Sequence, residues 1–296
     1  MQIKQALIDS RKEINVIDAR LLLVQVLRCT KEFLLAHPDS ELNADQANTF
    51  FSLVERRKNG EPLAYLTRIR EFYDLEFEVS PAVLIPRSDT ELLVDIALKF
   101  VPTKAPNLVT RSQDLTFQNI PRFEKHNIRI LELGTGSGAI SISLAKNSFD
   151  ISITAIDISE ESLQIAKSNA AKLLGSAHQS ISFLQSDWYT AVTDQKFDLI
   201  LTNPPYIAEL DSHLSALKYE PMQALVSGSD GLDALRLIIG NASKHLNKDG
   251  WIFCEHGYDQ AEKVRGLFKP WSNEILTFND LAGIPRVTGG RLSEHQ

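Results

Sequence analysis

The chain has 296 residues, 43% of them hydrophobic and 23% charged, with a formal net charge of -7 and an isoelectric point near 5.6. This is the balance of an ordinary soluble globular protein with room for one large domain and a smaller one, and it argues against a protein that holds nucleic acid mainly through phosphate contacts. Two cysteines, Cys29 and Cys254, give no disulfide framework and no metal-ligand spacing. The opening "MQIKQALIDSRKEI" lacks the apolar core of a signal peptide, and no stretch approaches the ~20 apolar residues that cross a bilayer, so a cytoplasmic location without membrane contact is expected.

Residues 1–68 read as a small helical domain. "DARLLLVQVL" (18–27) is apolar on most sides and reads as a buried helix. "NADQANTFFSLVERRKNG" opens with Asn43 and Gln46 in capping-box spacing, carries Ala47, Phe50, Phe51 and Val54 on one face, and closes at Gly60. Residues 69–87 alternate and carry prolines, which suggests a strand pair or extended connector. From 88 to 296 a second domain is expected, beginning with a capped amphipathic helix in "SDTELLVDIALKFV" and interrupted by a loop insertion at 102–127, long for a compact domain. From residue 128 the pattern is β-α-β-α-β: "IRILEL", "GSGAISISLAK", "ISITAID", "SEESLQIAKSNAAKLLG", "ISFLQSD" and "FDLILT". The helix "GLDALRLIIGNASKHL", the strand "WIFCEHG" and a terminal antiparallel strand in "IPRVTGGRL" follow. Such alternation predicts an α/β fold, a doubly wound Rossmann-like sheet with ligands at the carboxyl ends of its strands.

The unusual residues fall at those ends. In "LELGTGSGA" (131–139), Gly134, Gly136 and Gly138 let the backbone turn sharply and come close to a ligand. Asp157 ends the second strand, placed to accept from ribose hydroxyls. "GTGSGA" also satisfies the dinucleotide pattern GxGxxA with an acid roughly twenty residues on, so the loop alone leaves a nicotinamide or flavin enzyme open. Two features shift the balance toward S-adenosylmethionine. Glu132 precedes the loop, where an acid can answer the cofactor's amino group. "SDW" ends the third strand, with Asp187 and Trp188 suited to an adenine edge and face. As alternatives, Asp187 caps a turn and Trp188 covers the sheet edge.

"TNPPY" ends the fourth strand. Proline fixes φ and holds the preceding residue extended, so Asn203 and Pro204 are both stiff. The Asn203 side-chain oxygen and the Pro204 carbonyl then form two fixed acceptors, which suit an NH2 group on an sp2 carbon, as in a carboxamide or adenine. Holding both hydrogens favours pyramidalisation of the nitrogen as it attacks a methyl carbon, so catalysis rests on positioning and transition-state electrostatics without a strong base. Tyr206 is expected to wall the pocket and pack against the planar group. Glu255 either anchors a neighbouring helix or lines the cleft, and His256 is read as hydrogen-bonded within the fold, with no metal expected.

The chain resembles the release-factor glutamine methyltransferases, the HemK or PrmC family. The resemblance runs through "EPLAYLTRIREFY", "VLIPRSDTELLV", "LELGTGSGAI", "QSDWY", "TNPPYI", "YEPMQALVSGSDGL" and "EHG", in order and over nearly the whole chain. It implies a class I methyltransferase fold and transfer of a methyl group from S-adenosylmethionine, leaving S-adenosylhomocysteine, to a glutamine amide nitrogen. The implied substrate glutamine lies in the Gly-Gly-Gln loop of class-1 peptide release factors, held with help from the helical domain. In family terms Gly134, Thr135, Gly136, Ser137, Gly138, Asp157, Trp188 and Asn203 match cofactor contacts, and Asn203, Pro204, Pro205 and Tyr206 match the amide site. A monomer without stable nucleic-acid contact is expected. The chain departs from the family pattern in three places. Ser88 replaces a proline and is expected to cap the next helix, Arg68 replaces a small residue, and the 102–127 stretch is longer. The nearest rival substrate is a glutamine of a ribosomal protein. Adenine in DNA is more remote, since it demands base flipping and phosphate contacts that an acidic chain does not advertise.

Overall fold

Asn15, Thr30 and Asn43 each stand just ahead of a helix and accept a backbone N–H from its first turn, at 2.7 Å from Ile17, 3.2 Å from Phe33 and 2.8 Å from Gln46. Those caps divide the N-terminal region into short helices. The structure, a computed structural model, describes residues 1–104 and 122–292. It divides into two compact units, Met1–Ile69 with Val79–Pro81, and Arg70–Glu78 with the chain from Ala82 onward.

The first unit holds α1 (Ile3–Ser10), α2 (Val16–Leu27), α3 (Lys31–Ala36), α4 (Ala44–Lys58) and α5 (Leu63–Thr67). In α4 the capping box closes in both directions, with Asn43 N donating to Gln46 Oε1 at 3.0 Å. Ile3, Leu22, Leu23, Phe50 and Val54 form its core.

The second unit begins with a hairpin, β1 (Ile69–Phe72) and β2 (Leu75–Glu78), turned through Tyr73 and Asp74 at φ 52 and 60. Two residues at positive φ make the tight turn that a twisted hairpin favours. Phe72 and Phe77 place this hairpin in the main core. Ser88, expected as a helix cap, instead opens a 3₁₀ turn over Ser88–Thr90, and no side chain caps the start of α6 (Glu91–Phe100). α6 carries the polar stripe of an amphipathic helix at Glu91, Asp95 and Lys99, yet most of it is packed away from solvent. Its residues from Leu92 to Leu98 and Phe100 are all buried, which makes it a core helix. Of the expected 102–127 insertion, residues 105–121 lie outside the described residues. Lys104 donates to the last carbonyls of the helix at 139–147, and Phe123 packs on Phe100.

The sheet alternates as expected through β3 (Ile128–Leu133), α7 (Ala139–Asn147), β4 (Ile151–Asp157), α8 (Glu160–Leu174), β5 (Ile181–Gln185), β6 (Phe197–Thr202), α9 (Asp233–His245) and β7 (Leu246–Glu255). The structure adds α10 (Ala261–Phe268) and β8 (Glu274–Asn279), absent from the sequence reading, before β9 (Pro285–Arg291). Strand order is β5-β4-β3-β6-β7-β9-β8, with β3 to β7 parallel and β9 antiparallel to both its neighbours. Every residue of β6 is buried because helices cover both faces. Leu199 and Leu201 face the cluster that includes Leu93 and Ile140, while Ile200 faces Leu235 and Ile238. The chain winds outward in opposite directions from β3 and β6, so the crevice of a doubly wound sheet opens between their carboxyl ends.

Candidate active site

Leu133 ends β3 and Thr202 ends β6, paired side by side. The glycine loop leaves the first and Asn203-Pro-Pro-Tyr leaves the second. A Cβ on Gly134 (φ 74) would stand 3.9 Å from Trp188 Cζ3 and 4.0 Å from Asn203 O, so this glycine brings the loop between the indole and the tetrapeptide. At Gly136 (φ 53) nothing stands within 4 Å of that position, leaving open space at the loop's tip. Asp157 shapes the loop from β4. Its Oδ2 accepts Gly136 N at 2.8 Å and its Oδ1 accepts Ser159 N at 3.0 Å. Burial raises its carboxyl, and these amide N–H groups pull against that rise. Thr135 and Ser137 are buried in the loop. Asn169 on α8, fully buried, clamps it further by donating to the Ser137 and Glu78 carbonyls, both at 3.0 Å.

Glu132 is buried directly under the loop. Its Oε2 accepts from Thr135 Oγ1 at 2.8 Å, from Ser141 N at 3.2 Å and from the Ser141 hydroxyl. Burial pushes its carboxyl up to about 7 from an ordinary 4.5, against the pull of those three bonds. Across that interval the folded chain holds a proton that the unfolded chain has released. The resulting stability is complete below the unfolded value and is lost as pH rises through about 7. Stability of the second unit is therefore expected to fall by up to about 3 kcal/mol on this account between roughly pH 5 and 8. Glu132→Gln should flatten that fall in denaturant titrations run at both ends. Glu255, also near 7, keeps part of the slope, and a Glu132→Gln slope as steep as the parent's would refute the assignment.

At the tip of β6, Asn203 is half-buried and donates from Nδ2 to Thr90 Oγ1 at 2.9 Å. Among the described residues, neither Asn203 Oδ1 nor the Pro204 carbonyl accepts a hydrogen bond. Two cavities meet here. One, of about 380 Å3, has apolar walls at Leu84, Ile207, Leu217 and Leu225, with Asn203, Pro204 and Tyr206 along its edge. The other is a narrow cleft against Gly134, Thr135, Gly136, Ser137 and Glu132. Asn203, Arg87 and Leu84 line both. Arg87 is fixed by Glu220, whose Oε1 lies 2.5 Å from its Nη2 while Oε2 accepts Ile85 N at 3.1 Å.

Tyr206 also leans on buried groups. Its hydroxyl donates to Glu255 Oε1 at 3.3 Å, and its carbonyl accepts Gln260 Nε2 at 3.0 Å. Burial beside Glu255 raises its phenol well above the usual range. The same carbonyl would lie 2.3 Å from a Cβ at Gly231 (φ 75), so only glycine fits there. Glu255 is buried, and burial pushes it up to about 7, offset in part by the nearby hydroxyls of Thr90 and Tyr206. His256 accepts from or donates to Thr288 Oγ1 and meets the Gly257 carbonyl, both at 2.9 Å, and burial pushes its imidazole below the ordinary value.

Glu132, the loop from Gly134 to Ser137, Asn203, Pro204 and Tyr206 thus stand around two joined cavities. Trp188 (φ 45) is beside them, half-buried, and Gly138 packs against Ile142 and Ala166 behind the loop. Pro205 stands outside the walls of both cavities. Asp187 is exposed, and its carbonyl accepts Thr190 N at 3.1 Å. Thr90, Arg87, Glu220 and Asn169 were not singled out in the sequence. Arg87 and Thr90 lie within "VLIPRSDTELLV", one of the blocks that carry the family resemblance.

Residues 1–67 match the family model of the PrmC N-terminal domain, and residues 113–225 match that of the methyltransferase small domain. A release factor glutamine methyltransferase from Coxiella burnetii is 40% identical over 278 residues, covering 93% of this chain and 91% of the relative. Another from Salmonella typhimurium is 39% identical, covering 93% and 92%. Among solved structures, the hMettl16 catalytic domain in complex with MAT2A 3′UTR hairpin 6 superposes with a TM-score of 0.52 at 14% identity, over 86% of this chain and 84% of that one, a likeness of fold alone.

Proposed function

The chain belongs to the release factor glutamine methyltransferases, and on that premise we propose that it methylates N5 of the glutamine in the Gly-Gly-Gln loop of a class-1 release factor. S-adenosylmethionine supplies the methyl group on a sulfonium sulfur and is released as S-adenosylhomocysteine. The glycine loop with Asp157, Glu132, Asp187 and Trp188 holds this donor, and the larger cavity takes the glutamine side chain.

The observation that carries this reading is the position of Asn203 where the two cavities meet, with Oδ1 and the Pro204 carbonyl free among the described residues. Those oxygens accept the two hydrogens of the substrate amide and turn its nitrogen toward the donor. The amide lone pair is delocalised and weakly nucleophilic, so attack requires the nitrogen to pyramidalise. As the C–N bond forms the nitrogen gains positive charge, its hydrogens become stronger donors, and the two fixed acceptors bind the transition state more tightly than the ground state. The nitrogen then gives up one proton to solvent. Apolar walls at Leu84, Ile207, Leu217 and Leu225 strip water from the amide and strengthen both bonds. Tyr206 borders the planar group and keeps it in register.

In the helical unit, a cavity of about 510 Å3 between α1, α2 and α3 supports a role in holding the protein substrate. Its floor is apolar, at Leu7, Leu21 and Leu34, and its rim carries Arg11, Arg20, Lys31 and Lys4, the last paired with Asp39 at 2.6 Å. That charge suits an acidic amphipathic face of the release factor. The double variant Arg20→Glu, Lys31→Glu is expected to raise KM for the whole release factor about tenfold at low salt and leave kcat in place. An unchanged KM would remove this role. Among the described residues no helix is long and apolar enough to cross a membrane, and we place the enzyme, as a monomer, in the cytoplasm with its substrate. The direct test is mass spectrometry of purified release factor after incubation with enzyme and donor, with ribosomal protein in parallel. A methyl increment on the Gly-Gly-Gln glutamine is expected, and labelling of the ribosomal protein alone would overturn the assignment.

A further inference from the structure

We propose that Thr90 and Glu255 are positioning residues. Glu255 engages the Thr90 hydroxyl proton, Thr90 Oγ1 can then only accept from Asn203 Nδ2, and Asn203 Oδ1 is thereby turned toward the substrate amine. The inference rests on the reading of Asn203 given above.

A carboxamide has a donor end and an acceptor end of nearly the same shape, and proline fixes the backbone of Asn203 without deciding which end faces the cavity. The choice falls to whatever meets the other end. Thr90 is 4% exposed and Glu255 1% exposed, so neither has water to turn to. Thr90 has one hydroxyl hydrogen, and its hydroxyl, like that of Tyr206, favours the charged form of Glu255. Glu255 Oε1 already takes the Tyr206 hydroxyl at 3.3 Å. Its Oε2 is buried with no hydrogen-bond partner among the described residues, an acceptor for which the Thr90 hydroxyl can supply the donor.

With Glu255 ionised, above about pH 7, and taking its hydrogen, Thr90 presents lone pairs to Asn203, and the 2.9 Å contact is then Nδ2–H to Oγ1. Flipping the amide would set Asn203 Oδ1 against Thr90. Thr90 would then have to give its hydrogen to Asn203 and abandon the buried carboxyl. That loss is large enough to bias the amide roughly 10- to 100-fold toward the orientation with Oδ1 in the cavity. The flipped amide would offer N–H groups to the N–H groups of the substrate. Glu255 therefore acts on the reaction through two residues, and Tyr206, the wall of the same cavity, shares its carboxylate.

The test compares Thr90→Val, which keeps shape and removes the hydroxyl, with Thr90→Ser, each alone and combined with Asn203→Ala. We expect Thr90→Val to lower kcat about 10- to 50-fold, with KM for release factor and donor affinity by calorimetry within about threefold of the parent. Thr90→Ser should recover kcat to within about threefold. In the Asn203→Ala background Thr90→Val should cost less than about twofold, because its effect passes through the missing amide. Wild-type kcat in Thr90→Val would overturn the proposal. So would a serine variant as slow as valine, loss of donor binding, or losses that multiply in the double variant. An unimpaired Asn203→Ala enzyme would instead remove the reading of Asn203 on which it rests.

Discussion

Replacing Asn203 with alanine is expected to slow methyl transfer by roughly 100- to 1,000-fold while donor affinity stays within about threefold of the parent. The change deletes one of two acceptors aimed at the reacting nitrogen, and fixed groups that meet developing charge in a water-poor site are worth about 3–4 kcal/mol each. The loss should fall on kcat in single-turnover experiments with labelled methyl groups. The glycine loop and Asp157 do not depend on the deleted amide, because the loop is held by Asp157, Glu132 and Asn169. The remaining acceptor, the Pro204 carbonyl, belongs to the backbone and survives any side-chain substitution, which sets a floor under the residual rate. Turnover equal to the parent's would reject the two-acceptor mechanism outright.

Asp157→Ala should act on the opposite partner. Each carboxylate oxygen already accepts one backbone N–H, from Gly136 at 2.8 Å and Ser159 at 3.0 Å, and each keeps further lone pairs for ribose hydroxyls. Alanine removes the support of the loop and the ribose acceptors together. Hydrogen bonds to a charged group contribute about 1.5–3 kcal/mol each, so donor affinity should drop at least 10- to 100-fold by calorimetry. Asp157→Asn should fall between parent and alanine, because it keeps one acceptor but sets an NH2 against a backbone N–H. Single-turnover kcat at saturating donor should change far less than affinity, the inverse of the Asn203 pattern. Donor affinity within threefold of the parent in Asp157→Ala would show that the carboxylate serves the loop alone and does not reach the ribose.

These two residues were legible before any coordinates, for local reasons. Asp157 and Asn203 each end an apolar run whose length and β-branching announce a strand, and the parallel order places such ends on one edge. The capping box at Asn43 was equally legible, because a cap and its partner lie three residues apart. Ser88 shows the limit of that logic. A serine ahead of an apolar run is a reasonable cap, but here the chain takes a 3₁₀ turn first, so the expected cap is not made, and even Asp95 on the polar stripe of α6 is buried. β8 escaped notice because its residues are mostly half-buried and alternate weakly.

By itself, the sequence determined the strand ends, the glycine loop with its acid, and the stiff Asn-Pro-Pro-Tyr tip, because each is set by the conformational limits of neighbouring residues. Only the tertiary structure decided which way those groups face. Asn203 meets Thr90 across 113 positions, Arg87 meets Glu220 across 133, and Asn169 reaches Glu78 across 91. Such pairs arise from strand order and helix packing, and the direction of a buried hydrogen bond is settled only when every donor around it has been given an acceptor.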